Sequence, residues 1–335
     1  MTENETAETK TPSRAPMAGK PDISHWDFPL DMPSAEVYLQ LLQGLQAHFS
    51  DVQKDGLSLP EFDLYVSKVL AAFQADCWGL FRVFLDGRVY SASTAANSLN
   101  VALALFLYSS ANDWVEQDKV HLIRAALLHD VGMLFLPQEL LSKEGKLTEK
   151  ERVLLESHPA VSYEKVKRWG EGYEATQVAL QHHEEWNGTG YPSRISGENI
   201  HRWSRIAAVA INFVARVTQR RYRNSLVGYE AMKQLIKDQG VRFDPVSVKD
   251  FVRCLGLNPP GSILLLSDGS IARVIEMTPA NLLRPVVRIL IDSFGNVFRE
   301  DRGPQLDLND TPKTFIARPV NFQDLLEARE HQTPG

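Results

Sequence analysis

Cysteine is scarce in this chain. Cys77 and Cys254 are the only two in 335 residues. They lie far apart and without C-x-x-C spacing, which excludes a disulfide framework and a zinc–cysteine site and fits packed thiols in a reducing compartment. Long apolar runs are lacking too. No stretch reaches the ~18 apolar residues of a membrane span, and the N-terminus shows no apolar signal core, so no membrane span and a cytoplasmic location are expected. There is no basic excess either: 36 Lys and Arg against 42 Asp and Glu give a net charge of −6. A general polyanion-binding surface is thereby excluded, no nucleic-acid partner is expected, and any phosphate must be bound locally. No internal repeat is visible.

What is present is enough apolar material, 44% of residues, to build a sizeable core in a chain longer than one average domain. Residues 1–30, rich in Thr, Glu, Lys, Pro and Ala, cannot offset their ordering entropy and are expected to form a disordered tail. A helical lead-in is expected over 31–89, from helical spacing of Val37, Leu41, Leu42 and Leu45 and then of Phe62, Tyr65, Val66, Val69, Leu70 and Phe73. Residues 90–257 read as consecutive helices, including Leu99–Tyr108, Val115–His129 and stretches near 173–184, 203–219, 228–238 and 245–255. Thr148 to Glu151 fits a capping box that opens the helix carrying His158, with Pro159 expected to bend it. Over 258–335 the pattern turns to short β-rich runs at 262–266, 271–277 and 285–291, separated by Ser-Asp-Gly and Ser-Phe-Gly turns. The expected fold is mainly α, a helical bundle with a short β-rich C-terminal cap.

Four of the nine histidines and one aspartate form a suggestive set: His129-Asp130, His158 and His182-His183. Taken singly, each fits a satisfied core histidine or a capped helix end. Together they supply the donors that a divalent-metal site inside a helical bundle requires. A charged Asp beside Ala125–Leu128 is costly unless paired or bound to metal, and two adjacent imidazoles in a helix interior converge only on something central. Glu184 and Glu185 are either acceptors that orient an imidazole or a solvated helix end. Trp186, Trp203 and Phe213 read as core.

The order HD…H…HH…GYP, with AALLHDVG (125–132), GKLTEKE (145–151), SHP (157–159), HHEEWNGTGYP (182–192), SRIAAVA (204–210), RRYR (220–223), FDP (243–245) and GSILLLSDGSIARVI (261–275), resembles HD-GYP domains. These form the branch of the HD metallophosphohydrolase superfamily that degrades cyclic di-GMP. The resemblance implies a helical bundle around a two-metal centre; imidazole and carboxylate donors suit iron, manganese, zinc or nickel, and the resemblance favours iron or manganese. It implies one metal on Asp130, His158, His182 and His183, with His129 and Asp130 as the motif pair at the reaction centre. It further implies that Arg220 and Arg223 grip substrate phosphates and that the loop carrying Tyr191 meets a guanine or a GGDEF-type diguanylate cyclase domain. No receiver, transmembrane or GGDEF segment is readable in this sequence.

The chain departs from the family at four places. Asn97 stands where the resemblance expects a metal histidine, Met133 where it expects the lysine after HD, and Ile211 and Val214 where it expects aspartates. Of the second ligand set only His129 and Asp130 remain. One metal per chain is therefore expected, with weak or absent hydrolysis of cyclic di-GMP. Two alternatives stand beside this reading: a non-catalytic module that binds cyclic di-GMP or a GGDEF-type domain, and a phosphohydrolase for another nucleotide.

Overall fold

The structure is a computed structural model that describes residues 32–54, 56–86, 93–219, 227–277, 281–298 and 302–320. The tail expected over 1–30 and the pair Arg220 and Arg223 lie outside the described residues. Two helices, α1 (Met32–Lys54) and α2 (Leu59–Asp86), form the lead-in, and α2 breaks at Asp76, where φ is −156°. They are followed by α3 (Thr94–Ala111) and α4 (Glu116–Leu128), a 3-10 turn at Val131–Phe135, and the short helices α5 (Gln138–Leu141) and α6 (Glu149–Leu155). Then come α7 (His158–Arg168), α8 (Tyr173–Gln181), α9 (Arg202–Gln219), α10 (Val227–Asp238) and α11 (Pro245–Leu255).

Helix α3 is the axis of the bundle. It is apolar on every side and buried from Ala95 to Ser109 except at Asn97, as a helix surrounded by others must be, and α1, α2, α4, α9 and α11 all pack against it. The lead-in helices share its core through Leu45, Phe62, Val69 and Phe73. Ser93 starts α3 by accepting the Ala96 N–H at 3.2 Å, which satisfies one of the free donors of the first turn.

Local departures from the sequence reading matter most near the histidines. The capping box at Thr148 forms, with Glu151 accepting the Thr148 N–H at 2.7 Å, but the helix it opens ends at Leu155. His158 begins the next helix instead. Pro159 falls in the first turn of α7, where no N–H is needed, so it starts a helix rather than bending one. Likewise α8 stops at Gln181 and His182 is its C-cap, so the histidine pair sits on a helix end and not in a helix interior.

The cap is a five-stranded antiparallel sheet, ordered β4-β3-β2-β1-β5, of β1 (Ile263–Leu266), β2 (Ile271–Glu276), β3 (Val286–Ile291), β4 (Gln305–Asp307) and β5 (Ile316–Pro319). The last two strands were not expected from sequence. They are three and four residues long and carry no run of alternating apolar residues to announce them. Trp78 of α2 packs against both the bundle core and the Leu264, Val274 and Val287 cluster of the sheet, which docks the cap on the bundle. No helix among the described residues is long and apolar enough to cross a membrane.

Candidate metal centre

Three helix ends bring the site together. The buried last turn of α4, Ala125–Leu128, delivers His129 and Asp130 into the 3-10 turn. That turn lies against α7 because residue 132 is glycine: its N–H donates to Ser162 Oγ at 2.8 Å, and a Cβ there would sit 2.2 Å from the His158 carbonyl oxygen. The end of α8 supplies His182 and His183. One ligand atom from each of His158, His182 and His183 lies within 4.8 Å of the others. Asp130 Oδ1 is 3.2 Å from His158 Nε2, and the His129 ring meets the His182 ring edge-on at 5.1 Å.

The backbone sets which nitrogen of each ring faces the centre. His129 Nδ1 donates to the Ala126 carbonyl at 2.7 Å, His158 Nδ1 to that of Leu155 at 2.7 Å, and His182 Nδ1 to those of Val178 and Ala179 at 3.1 and 3.0 Å. A carbonyl only accepts, so each Nδ1 carries the proton and each Nε2 presents a lone pair. Burial keeps the rings neutral, and neighbouring imidazoles add to it at His129, His182 and His183. His129 is lowered to about 4, His183 to about 3, and His158 and His182 are lowered as well.

These facts test the site against a metal. His158 Nε2 and His182 Nε2 face each other at 3.3 Å with no proton between them, a repulsive contact that one cation resolves. Two nitrogens each about 2.1 Å from one ion are separated by roughly 3.0–3.4 Å. The buried Asp130 Oδ1 and His129 Nε2 have no hydrogen-bond partner, and burial pushes the Asp130 carboxyl up to about 7. A neighbouring cation is the usual remedy for such a carboxylate. The donor set present fits one divalent transition ion.

Of the four positions where the resemblance expects other residues, two lie in the core. Ile211 is 8% exposed and Val214 fully buried, both within the main hydrophobic core, and neither offers a donor atom. Asn97 is half-buried on α3, and Met133 is half-buried in the 3-10 turn.

Sequence reasoning misplaced some supporting residues and overlooked others. Tyr191 stacks on His183, rings 4.7 Å apart at 18°, and one face of its ring is thereby taken. Neither Glu184 nor Glu185 accepts a hydrogen bond from an imidazole among the described residues. Glu184 accepts the Ser193 N–H at 2.6 Å, and Glu185 takes Arg242 Nε and Thr189 Oγ1, each at 2.7 Å. Gly132 and Ser162 were not anticipated, and Gly190 was read only as part of the GYP loop. Their work is to let backbones approach closely, and a single sequence does not mark it. Phe213 and Trp203 are buried as expected, whereas Trp186 is half-buried beneath Arg205.

Residues 90–246 match the family described as HD domain, and residues 263–328 match the KOW domain associated with HD domain. The chain is 28% identical over 218 residues to the cyclic di-GMP phosphodiesterase PdeB of Borreliella burgdorferi, covering 65% of this chain and 57% of that protein. It is 32% identical over 174 residues to the cyclic di-GMP phosphodiesterase PA4108 of Pseudomonas aeruginosa, covering 52% and 42%. The chain thus spans about half the length of these curated relatives. Its fold is similar to that of Bd1817, an HDG"Y"P protein from Bdellovibrio bacteriovorus, with a TM-score of 0.52 at 14% identity over 68% of this chain and 72% of that one. With the HD motif at the end of α4 and the GYP loop after α8, residues 90–246 of this chain carry an HD domain followed by a β cap, and the chain is similar to the cyclic di-GMP phosphodiesterases named above.

Proposed function

We propose that this chain is a cyclic di-GMP signalling protein that holds one divalent transition ion, iron or manganese, on Asp130, His158, His182 and His183, and hydrolyses the nucleotide slowly or not at all. The observation that carries the reading is the pair of Nε2 lone pairs facing each other at 3.3 Å; Ile211 and Val214, where the resemblance expects aspartates, are buried and offer no ligand. When bound, the ion supplies Lewis-acid polarisation of a phosphate oxygen. The chain supplies the rest. Asp130 and His129 are what remains of the second ligand set, and the buried His129 Nε2 keeps a lone pair able to take a proton. Arg220 and Arg223 are proposed to hold phosphate oxygens, for which the guanidinium fork is suited. Tyr191 offers to a guanine or a GGDEF-type partner domain the part of its ring that His183 leaves uncovered.

A two-metal centre clamps both the attacking and the leaving oxygen. If losing one ion raises the barrier by roughly 4 kcal/mol, turnover falls about a thousandfold. The four substitutions at Asn97, Met133, Ile211 and Val214 also favour a second reading, in which the chain binds the nucleotide or a partner without catalysis. The test is cyclic di-GMP turnover and calorimetric binding by metal-loaded protein, with other cyclic dinucleotides assayed in parallel. Binding with turnover far below that of an HD-GYP enzyme with both ligand sets is expected. Comparable turnover refutes the proposal, and binding without any turnover selects the second reading. Turnover of another nucleotide alone reassigns the substrate.

A further inference from the structure

We infer that Glu184 and Tyr191 form a positioning device for His183, acting from outside the ligand set. The inference rests on the proposed metal site and adds to it the means by which one ligand is held in place. His129, His158 and His182 are each fixed by a carbonyl that accepts their Nδ1–H. His183 differs: among the described residues it makes no hydrogen bond through either ring nitrogen. Its ring is held by contact alone, between Tyr191 stacked at 4.7 Å and 18°, His182 at 4.3 Å and His158 edge-on at 5.0 Å. The Cβ–ring torsion of histidine is broad and roughly two-fold. Without the Tyr191 face the ring would be free to turn its ligating nitrogen away.

Tyr191 is in turn held by Glu184. This side chain is 3% exposed, an expensive place for a carboxylate without compensation. Oε1 accepts the Ser193 N–H at 2.6 Å, and Oε2 is buried without a hydrogen-bond partner among the described residues. The loop turns just past this bond, with Arg194 at φ +55°. The Tyr191 N–H returns to the His183 carbonyl at 3.1 Å. Gly190 lets that return happen, since a Cβ there would lie 2.4 Å from the His183 oxygen and 2.3 Å from the Glu185 nitrogen. Carboxylate, loop backbone, tyrosine ring and imidazole thus form one continuous support.

The experiment uses the full chain and Co2+ as probe, reading affinity by competition titration, the visible Co2+ spectrum, and thermal unfolding of the metal-free protein. Tyr191→Ala and Glu184→Gln are expected to weaken Co2+ binding about 10–100-fold, the usual effect of removing an outer support of a metal ligand, and to change the spectrum. Tyr191→Phe keeps the ring and is expected to match wild type in both readouts. Metal-free Tyr191→Ala is expected to melt near wild type, which separates positioning from general stability. If Tyr191→Ala retains wild-type affinity and spectrum, or if Tyr191→Phe loses as much as Tyr191→Ala, the inference is overturned. If Glu184→Gln fails to fold, the tyrosine pair still decides. Failure of wild type to bind Co2+ removes the metal site itself, an outcome distinct from a wild type that binds and variants that bind equally.

Discussion

The α7–α8 side and the α3–α9 side of the bundle were subject to different constraints. On the first, His158 and His182 are oriented by carbonyls of Leu155, Val178 and Ala179, and glycines at 132 and 190 let the backbone close around them. On the second, Ile211 and Val214 continue the hydrophobic core. A ligand set tied to helix ends and tight turns is built into the backbone, whereas donors on the face of a long helix are single side chains. Replacing such a donor by an apolar residue removes the ligand and strengthens the core in one step. On the proposed reading, one metal set would persist in a stable fold without the other.

The most severe way to break the comparison is His182→Ala, which removes the ring that meets His129, His158 and His183. Loss of essentially all bound metal is expected, and elemental analysis reads it. Full occupancy in this variant would mean that the ion is held elsewhere.

Next comes an attempt to restore the second side. The quadruple change Asn97→His, Met133→Lys, Ile211→Asp and Val214→Asp places two carboxylates in the core, at sites 8% and 0% exposed. In the metal-free protein each uncompensated charge is expected to cost on the order of 3–5 kcal/mol, read by urea unfolding. With manganese supplied, stability and cyclic di-GMP turnover are both expected to rise. A quadruple variant that folds, takes up a second ion and stays inactive would show that the missing ligands are not what limits turnover.

Gly190→Ala sharpens the account of the first side. Its Cβ would stand 2.3–2.6 Å from backbone atoms of Glu185, His183 and Glu184, so the loop must shift. A loss of about 1–3 kcal/mol together with weaker metal binding is expected, whereas Gly145→Ala, with nothing within 4 Å of its Cβ, should leave metal binding intact.

The smallest effect concerns the first turn of α6, at the opposite end of that helix from the Leu155 carbonyl that holds His158. Glu151 is held down to about 2, first by the Lys143 ammonium and then by the Thr148 N–H and hydroxyl. A depressed carboxyl stabilises the fold above its ordinary range and loses that contribution as pH falls toward about 2. The protection of α6 amides relative to their intrinsic exchange rate is expected to fall over that window, and Glu151→Gln is expected to flatten the change.

Much of this was legible in sequence because it rests on periodicity and motif spacing. The stripes of α1 and α2, the apolar α3, the capping box at Thr148 and the grouping of His158, His182 and His183 all follow from residue types at intervals. What was not legible depends on contacts between distant backbones. Nothing local says that Gly132 must touch Ser162, that Glu184 turns away from the imidazoles to gather Ser193, or that Pro159 begins a helix. The strands β4 and β5 were hidden for the same reason. Each is short, and each is defined by its partner in the sheet and not by its own sequence.

The central claim, one intact ligand set beside one replaced by core, is tested most directly by counting metal. The anaerobically purified chain, loaded with excess iron or manganese and dialysed, should retain about one equivalent per chain, and His182→Ala should retain none. Two tightly held equivalents in wild type would contradict the claim.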